Sequence, residues 1–202
     1  MAYQVIDLNC PGCGGGVSTS QKQCNYCGRP IVITSFSDIQ SFSPLDLNKY
    51  ANNYRKALAY NPDNNALNMS VAMCYLKLQL YDKALSAFEK AIEDNFENSE
   101  TFFYASVCLL KGKKAFLAIR ADIDKIQEYL NAAIMIEPRG IYHYFLAYIK
   151  YDYFERKYLN VSPNWEETLQ IAIQAGLPSA DVAQLFEVLQ VEIPESLRRY
   201  LQ

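Results

Sequence analysis

The stretch that decides the fold runs from Asn65 to Asn98 and reads NALNMSVAMCYLKLQLYDKALSAFEKAIEDNFEN. Small and aromatic residues recur in it at helical spacing: Ala72, Tyr75, Ala84, Phe88 and Ala91. Set against the rest of the chain it has a period of 34 residues, with Tyr54 mapping to Phe88, Ala57 to Ala91 and Leu58 to Ile92. A period of this size marks a stack of supersecondary units, each too small to bury its apolar face alone. The expected unit is a pair of helices.

Upstream of that stretch, Pro62 closes the preceding unit. Ser43-Pro44-Leu45-Asp46 reads as a helix start, with a capping serine, proline at the first helical position and an acid in the first turn. Downstream, Phe102, Ala105, Ser106 and Leu109 fall on first-helix positions, and Leu130, Ala133 and Pro138 correspond to Phe88, Ala91 and Phe96. The spacing there is 42 rather than 34, so about eight residues are inserted within KGKKAFLAIRADIDKI (111–126). A longer second helix or an extended turn would absorb them. A fourth unit places Leu146 and Ala147 in its first helix and Trp165, Leu169 and Ala172 in its second. SADVAQLFEVLQ (179–190) is then an amphipathic helix able to cap the stack.

These positions resemble tetratricopeptide repeats over residues 45–190. Val71 stands where leucine is usual, Asn68 replaces the expected tryptophan and Phe96 the closing proline. The resemblance implies a mainly α fold over 45–202, a right-handed solenoid of helical hairpins whose concave face binds another protein or peptide. In such arrays the first helix of each hairpin lines the groove. Carried over by position, the groove residues are Met69, Met73, Leu76 and Lys77 from one hairpin. Phe103, Val107, Leu110 and Lys111 follow from the next, and Tyr144, Tyr148 and Tyr151 from the fourth.

Ahead of the repeats lies CPGCGGGVSTSQKQCNYCGRP (10–30), with four of the chain's six cysteines in two Cys-x-x-Cys pairs. A metal site, a disulfide framework and a redox pair compete to explain them. A reducing compartment disfavours disulfides, and a thioredoxin-like motif needs a single pair near a βαβ pattern. Gly14 and Gly28 follow the second cysteine of each pair, where glycine lets the backbone curl and turn amides toward the sulfurs. The flanks YQVIDL and PIVITS alternate apolar residues and read as two short strands, joined through the polar GGVSTSQKQ. This pattern resembles the zinc-ribbon family over about residues 3–34. The resemblance implies one zinc per chain held by Cys10, Cys13, Cys24 and Cys27. His143 is the only histidine and lies far away, so the site should be all-cysteine, closed and structural. A segment this short cannot fold by burial alone, and metal binding would supply what burial cannot. The expected organisation is a ribbon over 1–36, a linker over 37–44 and the helical domain over 45–202. Cys74 and Cys108 sit among apolar residues and read as small buried hydrophobes.

Composition limits the function. The chain is 50% hydrophobic and 20% charged, so it buries a core, and its net charge of −3 exerts no general pull toward nucleic acid or anionic lipid. No apolar run reaches the ~18 residues of a membrane span, and AYQVIDLNC after Met1 lacks the features of a signal peptide. A cytoplasmic protein without a membrane or small-molecule partner is expected. One histidine removes most triads and proton shuttles, no phosphate loop is present, and Glu89, Glu93, Glu166 and Glu167 read as solvated helix faces. An enzyme is not expected. Association with nucleic acid is the alternative to a protein adaptor. The ribbon, however, offers only Lys22, Arg29 and a stackable Tyr26 against Asp7. Lys111, Lys113, Lys114 and Arg120 cluster at the insertion.

Overall fold

The computed structural model describes residues 5–200 and divides into two compact units, one up to Phe96 and one from Glu97 onward. In the first, β1 (Asp7–Asn9) pairs antiparallel with β2 (Gly16–Ser18), Leu8 opposite Val17. The strands are therefore not the two outer flanks. Tyr3 and Gln4 of the first flank lie outside the described residues, and PIVITS forms no strand, only a bridge from Gln23 to Pro30. The expected alternation is kept, with Ile31 and Ile33 fully buried and Thr34 exposed, but the segment pairs with no strand beyond that bridge. A short 3-10 turn at Phe36–Ile39 follows and buries both of its end residues.

α1 (Pro44–Leu58) begins as its sequence dictates: Ser43 accepts from the Asp46 amide, and the Asp46 carboxylate returns to Ser43 in a reciprocal capping box. Leu47, Tyr50, Ala51 and Tyr54 form its buried face, at the spacing of one helical stripe. α2 (Asn65–Lys77) is buried almost all round. Its Asn68, where tryptophan was expected, turns its amide to the Pro62 carbonyl at 2.9 Å, so the polar side chain is buried with a partner. α3 (Tyr81–Asp94) packs on α2 through fully buried Ala84, Phe88 and Ala91. Asn65 closes the open end of that hairpin with a 2.6 Å bond to the Ala91 carbonyl.

The second unit contains two further hairpins, α4 (Ser99–Leu109) with α5 (Arg120–Ile136) and α6 (Gly140–Ile149) with α7 (Trp165–Gln174). The inserted residues enter both places the sequence allowed. α5 has 17 residues against 14 in α3, and the turn before it contains a 3-10 turn at Ala115–Leu117. α6 runs on through a widened π turn at Lys150–Phe154 and a 3-10 turn at Glu155–Lys157. Lys150 and Asp152 are buried there and both are satisfied: Lys150 Nζ donates to Pro163 O at 2.7 Å and Thr168 Oγ1 at 2.9 Å, while Asp152 accepts the Phe116 amide at 2.8 Å and pairs with Arg156. α8 (Ser179–Leu189) is the final amphipathic helix expected, and a short α9 (Glu195–Arg198) follows. The fold is mainly α, of tetratricopeptide-like helical hairpins with a small N-terminal β region that carries the cysteines.

Candidate metal centre

The two cysteine turns are built alike. Cys10 N donates to Gly15 O at 2.7 Å and Gly14 N to Cys10 O at 2.9 Å; Cys24 N donates to Arg29 O at 2.9 Å and Gly28 N to Cys24 O at 2.9 Å. The same two bonds at the same offsets curl each turn around its sulfurs. Gly14 at φ 85° and Gly28 at φ 70° make the curl in left-handed backbone that a side chain resists. The Tyr26 amide points at Cys24 Sγ from 3.4 Å. Gly12 is tightly packed, so that a side chain there would push its neighbours aside by a few tenths of an ångström. A Cβ there would stand 3.0 Å from Arg29 Cδ and 3.1 Å from Tyr50 Oη.

All four sulfurs lie within 4.8 Å of one another. The short pairs cross between turns, Cys10 to Cys27 and Cys13 to Cys24, each 3.7 Å apart. Around a tetrahedral ion with Zn–S bonds of about 2.3 Å, neighbouring sulfurs stand about 3.8 Å apart, close to the spacing of these two pairs. None of the described cysteines is oxidised to a disulfide. Each turn contributes one buried thiol, Cys10 or Cys24, and one exposed thiol, Cys13 or Cys27. Burial pushes Cys10 up to about 12. Burial also acts to raise Cys24, but the Tyr26 and Cys27 amides and the Cys10 and Cys13 thiols outweigh it and bring it to about 7. Ionising all four sulfurs at this separation requires a cation among them. Four thiolates would complete its coordination and leave no position for a substrate.

The centre is fastened to α1. Lys49 Nζ donates to the Gly12 carbonyl, Asn53 Nδ2 to Pro11 O at 3.2 Å, and Arg29 pairs with Asp46 at 2.6 Å. Tyr50 Oη donates to Pro30 O at 3.2 Å, Tyr54 Oη to Ile31 O at 2.8 Å, and the Ile33 amide to Ser70 Oγ on α2 at 2.9 Å. Sequence reading missed all six. Asn, Lys and Tyr on one helix face carry no signal of which carbonyls they will meet. The ribbon, the segment 37–44 and α1–α3 fall within one compact unit.

The residues expected to line a groove are placed otherwise. Met69, Met73 and Leu76 are buried, and Lys77 is half-buried with its ammonium 4.8 Å over the Phe36 ring. Phe103, Val107, Leu110, Tyr144 and Tyr148 are buried as well. Phe103 packs 4.9 Å from the Tyr142 ring and 5.9 Å from Phe145, and Tyr148 lies 5.3 Å from Phe186. Of the others, Lys111 is exposed and Tyr151 is half-buried beside Trp165. First helices apolar on every side are enclosed rather than one-faced. His143 is half-buried on α6, and burial and the Lys150 charge lower its pKa. Arg29 is taken up by Asp46, while Tyr26 remains exposed over Gly15.

The sequence matches no family model and no curated protein. Among solved structures, a crystal structure of MamA aligns at 13% identity and a TM-score of 0.57, over 85% of this chain and 92% of that one. A second, MamA MSR-1 C2, aligns at 20% identity and a TM-score of 0.48, over 75% of this chain and 72% of that one. The first of these likenesses agrees with the helical-hairpin fold and speaks to fold alone. No helix among the described residues is long and apolar enough to cross a membrane.

Proposed function

We propose that this protein is a non-enzymatic, cytoplasmic protein–protein interaction adaptor whose N-terminal cysteines hold one structural zinc. The observation that carries the reading is the closed four-sulfur cluster, all sulfurs within 4.8 Å, fastened to tetratricopeptide-like hairpins. A four-thiolate site favours zinc over harder ions and serves folding rather than catalysis. Hairpin repeats of this kind offer extended surfaces to other proteins, an inference from fold class. Because the first-helix side chains are enclosed, the partner surface belongs on residues that stay exposed on the described chain.

The test is affinity capture with the tagged full chain, with partners identified by mass spectrometry and binding then reconstituted from purified components. Direct reconstitution with a protein, together with close to one zinc per chain by elemental analysis, supports the reading. Steeply salt-dependent binding to DNA or RNA in place of a protein would overturn it.

A further inference from the structure

Two neighbouring segments of the second unit form a surface that its fold does not use. The turn between α4 and α5 is held against the end of α6. Ala115 N donates to Tyr148 Oη at 3.3 Å, Phe116 N donates to Asp152, and the Phe116 ring lies 4.5 Å from Arg156 and 5.1 Å from Lys157. From this fixed base Leu117 is 66% exposed, Ile119 65% and Tyr158 96%, the last held in left-handed backbone at φ 57°. Exposed apolar side chains gathered in one place mark an interaction surface more often than scattered ones do.

The cations around them are not all paired. Arg120 and Arg156 have carboxylates of their own, Asp124 at 2.8 Å and Asp152. Lys113, Lys114 and Lys157 have none among the described residues, although Lys157 also lies 3.7 Å over the Tyr153 ring. The surface therefore presents the exposed, unpaired ammonium groups of Lys113 and Lys114, with the half-buried Lys157 against its aromatic rings, beside three apolar side chains.

We infer that this surface, built from Lys113, Lys114, Leu117, Ile119, Lys157 and Tyr158, docks an acidic segment of a partner protein that alternates carboxylates with apolar side chains. The inference rests on the adaptor reading and names the partner's chemistry. A peptide is favoured over an anionic bilayer or nucleic acid by the charges nearby. Glu155 is exposed beside the patch, Asp122 and Asp124 lie just beyond Arg120, and the whole chain carries −3. A uniformly negative surface would meet those carboxylates as well as the lysines, whereas a peptide can seat its acids on the lysines alone.

The test selects a phage library of random peptides on the full zinc-loaded chain, then measures the selected peptides by fluorescence anisotropy on variants. The expected consensus is rich in Asp and Glu with interspersed apolar residues. Lys113→Glu with Lys114→Glu should weaken binding roughly tenfold or more, with an unchanged melting temperature. Leu117→Ser with Tyr158→Asn, the latter a residue that tolerates the left-handed backbone, should weaken it without altering its salt dependence. Vesicles containing phosphatidylserine and single-stranded DNA should bind weakly to the wild type and be indifferent to these variants. A consensus without acids, or peptides unaffected by both variant pairs, overturns the assignment while leaving the adaptor reading intact. So does vesicle or DNA binding that the lysine reversals abolish. Failure of the adaptor reading shows separately, as no directly reconstituted protein partner.

Discussion

The phenol of Tyr54, on α1, donates to the carbonyl of Ile31 at 2.8 Å, and both residues are wholly buried. This bond joins the chain just beyond the second cysteine turn to the first helix, so the cysteine turns and the helices stabilise one another. Tyr54→Phe keeps the ring and strands the carbonyl, which should cost about 1–3 kcal/mol. Chemical denaturation of the first unit measures it, and an unchanged midpoint would refute the coupling.

Removing the metal should therefore reach beyond the ribbon. Cys24→Ser, or chelation of the wild type, should abolish stoichiometric zinc; metal binding is worth on the order of 10–16 kcal/mol in isolated zinc-finger peptides. Hydrogen exchange should accelerate in α1 and in α2 around Ser70, while amides of α5 and α6 stay protected. A ribbon that loosens alone, with α1 unaffected, would restore the picture of an independent module on a linker.

The α2–α3 hairpin tests the repeat. Phe88 and Ala91 are both fully buried. Phe88→Ala should cost roughly 3–5 kcal/mol through the cavity left behind, and Ala91→Leu roughly 1–3 kcal/mol through overpacking. Wild-type melting temperatures for both would contradict the alignment.

Gly140 sets propensity against packing. Alanine normally favours a helix by about 1 kcal/mol over glycine. Here a Cβ would stand 2.0 Å from the Gly176 carbonyl oxygen and 2.7 Å from that of Ala172, so α6 and the end of α7 would have to separate. Gly140→Ala should accordingly lower the melting temperature. A rise would mean that the two helices have room to part.

Phe103→Ala should destabilise the chain by roughly 3–5 kcal/mol, as a core truncation does. A groove residue would leave stability unchanged and reduce only partner recovery. The melting curve separates the two outcomes before any partner is known.

Much of this molecule was legible in one dimension because the deciding interactions are local or periodic. The 34-residue recurrence of small and aromatic residues specifies helical pairs, since close helix packing admits alanine at Ala84 and Ala91 and little else. The capping box at Ser43 and Asp46 spans three residues and needs no tertiary context. The two Cys-x-x-Cys turns, with a glycine after each, likewise contain their own geometry. Tertiary structure alone decided which faces stay in water. Helices apolar all round, such as α2 and α4, have no periodic stripe to distinguish a groove from a core, so Met73 and Phe103 read as either until their neighbours are in place. The bonds from Asn53 and Tyr54 to carbonyls 42 and 23 residues away, and the approach of Lys157 to the Phe116 ring, are equally non-local. Each depends on where the chain returns in space, which spacing along a sequence does not encode.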